Sequence, residues 1–107
     1  MPEKTLPFTA VQPGFAKQIN FPLHPETVDG IRVGGMLEAL LRALSSEITA
    51  NGRVSDGDVL QALCMTLAIR MHMVEAPIGT VQQVVAQLLE HADTAVANGV
   101  VRPAGKA

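Results

Sequence analysis

The segment from Ser55 to Glu75, SDGDVLQALCMTLAIRMHMVE, is the most apolar long stretch of the chain and decides the predicted fold. At about 100° per residue, the angular repeat of an α-helix, its apolar side chains fall into two stripes instead of one. We call the first stripe face one; it consists of Leu60, Leu63, Cys64, Leu67, Met71 and Val74. The second stripe, face two, lies roughly opposite and consists of Ala62, Met65, Ile69 and Met73. A helix that is apolar on two sides has to be covered on two sides.

The ends of this central helix carry recognisable signals. Ser55 is a favourable N-cap, and Asp58 three residues later gives a variant of the capping box. Asp56 adds a second carboxylate at the positive end of the helix dipole. Pro77 ends the helix because it lacks an N–H group and disfavours a helical conformation at the residue before it. The predicted helix spans residues 56–75.

Two further stretches show the same helical periodicity, over residues 36–50 and 81–98. Each has a single apolar face opposite a polar one, which is typical of a helix packed against a core. Asn51-Gly52 and Asn98-Gly99 are helix C-cap signals, and Thr80 is the predicted N-cap of the third helix. The short connections predict that consecutive helices pack antiparallel.

Residues 1–30 differ in character from the rest of the chain. They contain five of the seven prolines, which excludes a long helix, and all three phenylalanines. From Phe15 to Leu23 apolar side chains roughly alternate with polar ones, which predicts an extended arm with a short edge-type strand. Pro22 argues against a central strand, because proline cannot donate a ladder hydrogen bond.

The predicted fold class is therefore mainly all-α. It is a three-helix up-down-up bundle over residues 31–99, preceded by an extended Pro-rich arm over residues 1–30. Residues 100–107 form a short tail that is expected to fray.

Composition excludes several classes of function. Eight basic and ten acidic residues are spread along the chain with no basic patch, which argues against a nucleic-acid partner. No apolar run approaches the ~18 residues of a membrane span, and the first residues lack the apolar core of a secretory signal. The single cysteine, Cys64, lies on face one; we expect it to be a small buried hydrophobe in a reducing compartment, the cytoplasm.

No catalytic residue, metal ligand set or cofactor motif stands out. His72 lies three residues before Glu75, but helical dimetal sites use the reverse order with further carboxylates on facing helices. Arg70 lies in a narrow seam between faces one and two. It either extends its stem over Leu63 or Met73 while its charge stays in water, or anchors an anion at an interface.

The sequence leaves open what covers face two. One interpretation is intrachain packing by the apolar residues of the arm; the other, which we favour, is a homodimer or a protein partner. The predicted interface contains Ala62, Met65, Ile69, Met73, Phe15, Ile19 and Phe21. The expected function is a non-enzymatic protein–protein interaction or oligomerisation module. The alternative is a small-molecule binder or enzyme with an apolar pocket between arm and bundle, where Arg70 and His72 are possible ligand contacts.

Overall fold

The computed structural model describes residues 4–12 and 14–103, which form three α-helices and a three-stranded antiparallel sheet. In chain order the elements are β1 (Thr5–Gln12), β2 (Phe15–Pro22), α1 (Gly30–Asn51), α2 (Asp56–Met71), α3 (Ile78–Ala97) and β3 (Val100–Pro103). The fold is mixed α and β, so the prediction of an all-α bundle is wrong. Pro2 and Pro13 of the predicted arm and residues 104–107 of the predicted tail lie outside the described residues.

The proline-rich arm is a β-hairpin. β1 and β2 pair antiparallel along their whole length, and Gly14 between them has a φ of 89°. Glycine adopts this left-handed conformation without the steric cost that other residues incur. Pro7 lies within β1, an edge strand of the sheet. Edge strands tolerate proline because half of their N–H groups have no partner strand. The prolines of residues 1–30 therefore exclude a long helix but not a β-sheet.

β2 is the central strand, because β3 pairs with its other side. In β3, Val100 lies opposite Gln18 and Pro103 lies opposite Phe15. Residues 100–103 were expected to fray and instead form a strand of the sheet. The predicted edge position of the second strand is therefore wrong. Pro22 is compatible with a central strand because it is the last residue of β2, beyond the part that β3 reaches.

The two faces of the sheet differ in polarity, as the period of two requires. Ile19 is 5 % exposed, and Phe15 and Phe21 on the same face are half-buried. Phe8 on β1 packs against Phe21 with ring centroids 6.4 Å apart and ring planes tilted by 54°. The opposite face carries Thr5, Thr9, Gln18 and Asn20, all exposed.

α1 begins at Gly30, six residues before the predicted start. The Asp29 carboxylate accepts a hydrogen bond from the Arg32 backbone N–H (3.1 Å), as an N-cap residue does. The helix therefore runs through the tandem Gly34-Gly35 that was expected to mark its beginning. At its other end the predicted C-cap is confirmed, since Gly52 has a φ of 77° and its N–H donates to the Ile48 carbonyl (3.1 Å).

The predicted start of α2 is confirmed, and its predicted end is wrong. The Ser55 hydroxyl accepts from the Asp58 N–H (3.0 Å), and the Asp58 carboxylate accepts from the Ser55 N–H (3.3 Å). α2 ends at Met71 and not at Glu75, because the N–H groups of Met73 and Val74 each donate to a carbonyl three residues back. The chain after Met71 thus tightens into turns before Pro77.

α3 begins at Ile78, so Thr80 lies inside its first turn and is not the N-cap. The Pro77 carbonyl accepts from the N–H groups of both Thr80 and Val81, at 3.0 and 3.2 Å. The helix continues to Ala97, within one residue of the predicted end. Pro77 therefore follows the turns after α2 and immediately precedes the first residue of α3, with no loop between them.

The described chain divides into two units. Unit one combines the residues up to Met36 with those from Gln87 onward, and contains the sheet. Unit two is Leu37–Ala86, with most of α1, all of α2 and the first half of α3. Within unit two, no two helices bring their Cα atoms within 8 Å of one another. The antiparallel packing predicted for consecutive helices is thus not formed within unit two.

Candidate functional site

α2 contains no buried residue, although both of its faces are apolar. On face one, Cys64 is exposed, Met71 is half-buried, and the exposed fractions are 62 % for Leu60, 46 % for Leu63, 42 % for Leu67 and 50 % for Val74. On face two the fractions are 57 % for Met65, 65 % for Ile69 and 61 % for Met73, and Ala62 is also exposed. Met73 and Val74 lie in the turns that follow Met71, beyond the end of α2. Face one is therefore as open as face two, and the expectation that Cys64 is buried is wrong.

Large apolar side chains are also open elsewhere in unit two. Leu40 on α1 is 63 % exposed, and its neighbour Leu41 is exposed as well. The one hydrophobic side chain of unit two that is buried is Val81 on α3. Clusters of exposed apolar side chains on this scale mark interaction surfaces in proteins.

The charges of α2 are separated along its axis. Asp56 and Asp58 occupy the first turn, and Arg70 occupies the last turn. Both placements match the helix dipole, which favours negative charge at the N-terminus and positive charge at the C-terminus. No charged residue lies between Asp58 and Arg70, so about three turns of the helix surface are uncharged.

Arg70, in the last turn of α2, contacts the turn that follows the helix. Its Nη1 donates to the sulfur of Met73 (3.5 Å), and the side chain is exposed. Among the described residues it makes no salt bridge; the single ion pair there joins Glu38 and Arg42 on α1 (3.5 Å). The contact with Met73 is made by the guanidinium and not by the stem of the side chain, and the guanidinium has no carboxylate partner among the described residues.

The other residues singled out from the sequence are not gathered into one site. His72 is exposed and caps α2 through its backbone N–H, which donates to the carbonyls of Ala68 and Arg70. Phe15, Ile19 and Phe21 belong to the apolar face of the sheet in unit one, and Ile19 is buried there. Within residues 4–12 and 14–103, no three His, Cys, Asp or Glu side chains are placed to hold a metal ion.

A groove of mixed polarity in unit one was not predicted from the sequence. It is open, has a volume of about 610 Å³, and lies between the polar face of the sheet and the last turns of α3. Its lining is Thr5, Gln18, Asn20, Pro22, Glu90, His91, Thr94, Ala95, Asn98, Gly99 and Val100. At one edge of the sheet, Arg102 Nε donates to the Gln18 side-chain oxygen (2.8 Å).

Two signals in the sequence could have indicated this groove. Glu90, Thr94 and Asn98 are spaced by four residues, which places them along one polar stripe of α3. Gln18 and Asn20 alternate with the apolar residues of β2 and so share the polar face of the sheet. What the sequence does not show is that β3 brings the end of α3 beside β2.

None of the helices in the described ranges has both the length and the apolar content needed to cross a membrane. The chain matches no protein-family model, and no curated protein and no solved structure is significantly similar to it.

Proposed function

We propose that this chain is a non-enzymatic oligomerisation module that works as a homodimer, in which a second copy covers the apolar faces of α2. One observation carries the proposal: α2 is apolar on two sides and has no buried residue. The interface expected from the sequence included Ala62, Met65, Ile69 and Met73 of face two. Because face one is exposed as well, the proposed interface also includes face one.

The energetics of an uncovered helix support this proposal. With 16 residues, α2 only just exceeds the length of ~12–15 residues below which isolated helices are marginal in water. Ordering its backbone costs roughly 1–2 kcal/mol per residue, which hydrogen bonds alone do not offset. Full burial of a Leu, Ile or Met side chain contributes about 1.5–3 kcal/mol. Covering faces one and two with another polypeptide supplies the burial that a single copy lacks.

The chemistry of the surface suits a second copy of the chain. Homodimer interfaces are more apolar than transient ones and are depleted of charge at their centre. The stretch between Asp58 and Arg70 is uncharged. Three of the five methionines, Met65, Met71 and Met73, lie on faces one and two, and flexible thioethers adapt to a partner's surface. The exposed thiol of Cys64 suits a reducing compartment, and we place the assembly in the cytoplasm.

Native mass spectrometry of the full chain over a range of concentrations tests the proposal. We expect a dimer without additional mass, and a loss of helical circular dichroism when dilution produces the monomer. A monomer that keeps its full helical signal at the lowest concentration would contradict the proposal, because α2 would then be stable uncovered.

The groove of unit one favours a second candidate function, the binding of a small ligand that carries several hydroxyl groups. Its volume lies in the usual range for ligand sites, roughly 300–1,000 Å³, and its lining combines apolar surface with hydroxyl, amide, carboxylate and imidazole groups. Such a mixed lining suits a ligand that has several hydroxyl groups on an apolar carbon frame. Thermal stabilisation by mono- and disaccharides that is lost in His91→Ala and retained in Arg70→Ala would support this candidate. No stabilisation by any of these sugars would count against it.

A further inference from the structure

We infer that the two copies pair through face one of α2 in antiparallel orientation, with Arg70 of each copy beside Asp56 of the other. The pair is centred between Leu63 and Cys64, the midpoint of α2. This inference rests on the proposed homodimer and specifies which face of α2 meets α2 of the second copy, and in which orientation; face two is then covered by other parts of the second copy.

The distribution of charge on α2 gives the orientation. A two-fold symmetric interface uses the same surface on both copies, so that surface has to be complementary to itself. α2 is acidic in its first turn and basic in its last turn, with an uncharged stretch between them. Antiparallel pairing places the acidic end of each helix beside the basic end of the other. Parallel pairing would place carboxylates beside carboxylates and Arg70 beside Arg70.

The axial positions agree with this arrangement. Around a centre between Leu63 and Cys64, Arg70 is level with Gly57 of the second copy. Asp56 of the second copy is therefore offset from Arg70 by one helical rise, about 1.5 Å. A long guanidinium side chain spans such an offset easily, and Arg70 has no carboxylate partner among the described residues of its own chain.

The angular positions select face one over face two. By about 100° per residue, Asp56 and Arg70 lie on the same flank of face one, roughly 30° and 70° from its centre. A two-fold axis between antiparallel helices places a given flank of one helix beside the same flank of the other. Arg70 therefore meets Asp56 of the second copy, because both residues lie on that flank. If the helices met through face two instead, Asp56 and Arg70 would both point away from the other helix. Asp58 could not replace Asp56 there, because it lies on the opposite flank of face two from Arg70.

The apolar residues of face one are self-complementary about the same centre. Leu60 and Leu67 both lie near the middle of face one, and antiparallel pairing puts Leu60 of each copy level with Leu67 of the other. Leu63 meets Leu63 on the flank that carries Arg70. Cys64 meets Cys64 on the other flank, with Cα atoms about 6 Å apart if the helix axes are ~9 Å apart. Disulfide bonds join cysteines at that distance.

A charge-exchange experiment on the full chain tests the orientation. Arg70→Glu places two carboxylates at each end of the homodimer, and Asp56→Arg places two guanidinium groups there. We expect each variant alone to dimerise roughly tenfold or more weakly than the wild type. When the two variants are mixed, both ends again pair opposite charges, and we expect the heterodimer to dominate the native mass spectrum. Asp58 keeps its capping role in both variants, so α2 retains its N-terminal cap.

A mixture of Arg53→Glu with Asp56→Arg is the matched control. Arg53 lies in the link between α1 and α2, outside the proposed contact, and we expect no heterodimer preference from this change. If instead Arg70→Glu forms heterodimers preferentially with the wild type, the pairing is parallel and the inference is wrong. If the mixture of Arg70→Glu and Asp56→Arg contains homodimers and heterodimers in the statistical ratio, the inference is also wrong.

Cross-linking tests the choice of face. Mild oxidation of the wild type should link two copies through Cys64, whereas Cys64→Ser should not cross-link. In the Cys64→Ser background, Met65→Cys places a thiol on face two and should give no cross-link. A cross-link at Met65→Cys without one at Cys64 would contradict the pairing through face one but not the homodimer.

A wild-type chain that stays monomeric and fully helical would contradict both the homodimer and its proposed arrangement.

Discussion

Gly99 approaches the central strand so closely that a Cβ atom at position 99 would lie 3.0 Å from the backbone oxygen of Gln18. The same Cβ would be 3.0 Å from Lys17 Cγ and 3.1 Å from Ile19 Cγ1. This approach occurs where α3 ends and β3 begins, so Gly99 lets the chain leave the helix and pair with β2 immediately. The glycine was expected at the C-terminal cap of the helix, and its N–H does donate to the Val96 carbonyl (3.1 Å) at the end of α3; the close contact with β2 comes in addition.

Gly99→Ala should therefore destabilise unit one. The added methyl group meets a backbone atom of the central strand, which cannot rotate away as a side chain can. We expect a loss of about 1–3 kcal/mol in the free energy of unfolding, the usual cost of overpacking. Urea denaturation followed by circular dichroism measures this loss.

Gly79→Ala is the control for that measurement, because nothing lies within 4 Å of a Cβ at position 79 in α3. We expect it to be neutral or to stabilise by up to about 1 kcal/mol. Equal free energies of unfolding for Gly99→Ala and Gly79→Ala would contradict a tight contact between position 99 and the Gln18 backbone.

The adjacent glycines of α1 give a second prediction. A Cβ at Gly34 would be 3.1 Å from Leu6 Cδ1, whereas a Cβ at Gly35 has nothing within 4 Å. Gly35→Ala should stabilise by about 1 kcal/mol through helix propensity alone. Gly34→Ala should give less or none of this gain, because Leu6 has to move. Thermal unfolding of the two single variants compares them directly, and a larger gain at position 34 would contradict the prediction.

The capping box of α2 gives a third prediction. Ser55→Ala removes the acceptor for the Asp58 N–H and should cost about 1 kcal/mol, within a usual range of ~0.5–2. Ser46→Ala on the exposed face of α1 is the control and should be neutral or slightly stabilising. If dimerisation covers α2 as proposed, Ser55→Ala should also shift the dimerisation equilibrium toward monomer by a similar free energy. Concentration-dependent circular dichroism detects both effects.

The extent of the proposed interface can be probed on face two. Met65→Glu places a carboxylate on a surface that the homodimer is proposed to bury, and we expect at least a tenfold increase in the dimer dissociation constant. Gln61→Glu introduces the same charge in the polar seam between the faces and should change the constant less than threefold. Sedimentation equilibrium compares them. Equal effects of the two substitutions would restrict the interface to face one.

Helix positions followed from the sequence where the signals were local. Ser55 and Asp58 predicted the start of α2, and Asn51-Gly52 predicted the end of α1, because caps depend on residues within one turn of each other. The end of α2 was predicted four residues too late. The apolar pattern continues through Val74, but the backbone tightens into turns after Met71, and a periodic pattern does not distinguish these geometries.

The sequence by itself determined that α2 has two apolar faces and that apolar and polar side chains roughly alternate from Phe15 to Leu23, since both are periodicities of the chain. Only the tertiary structure decided that the arm is a hairpin and that Val100–Pro103 makes β2 a central strand. Strand pairing joins residues more than 80 positions apart, as in Gln18 with Val100, and no local pattern encodes such a partner. Likewise, an apolar stripe shows that a face needs cover, while only the fold shows that α2 leaves both faces open.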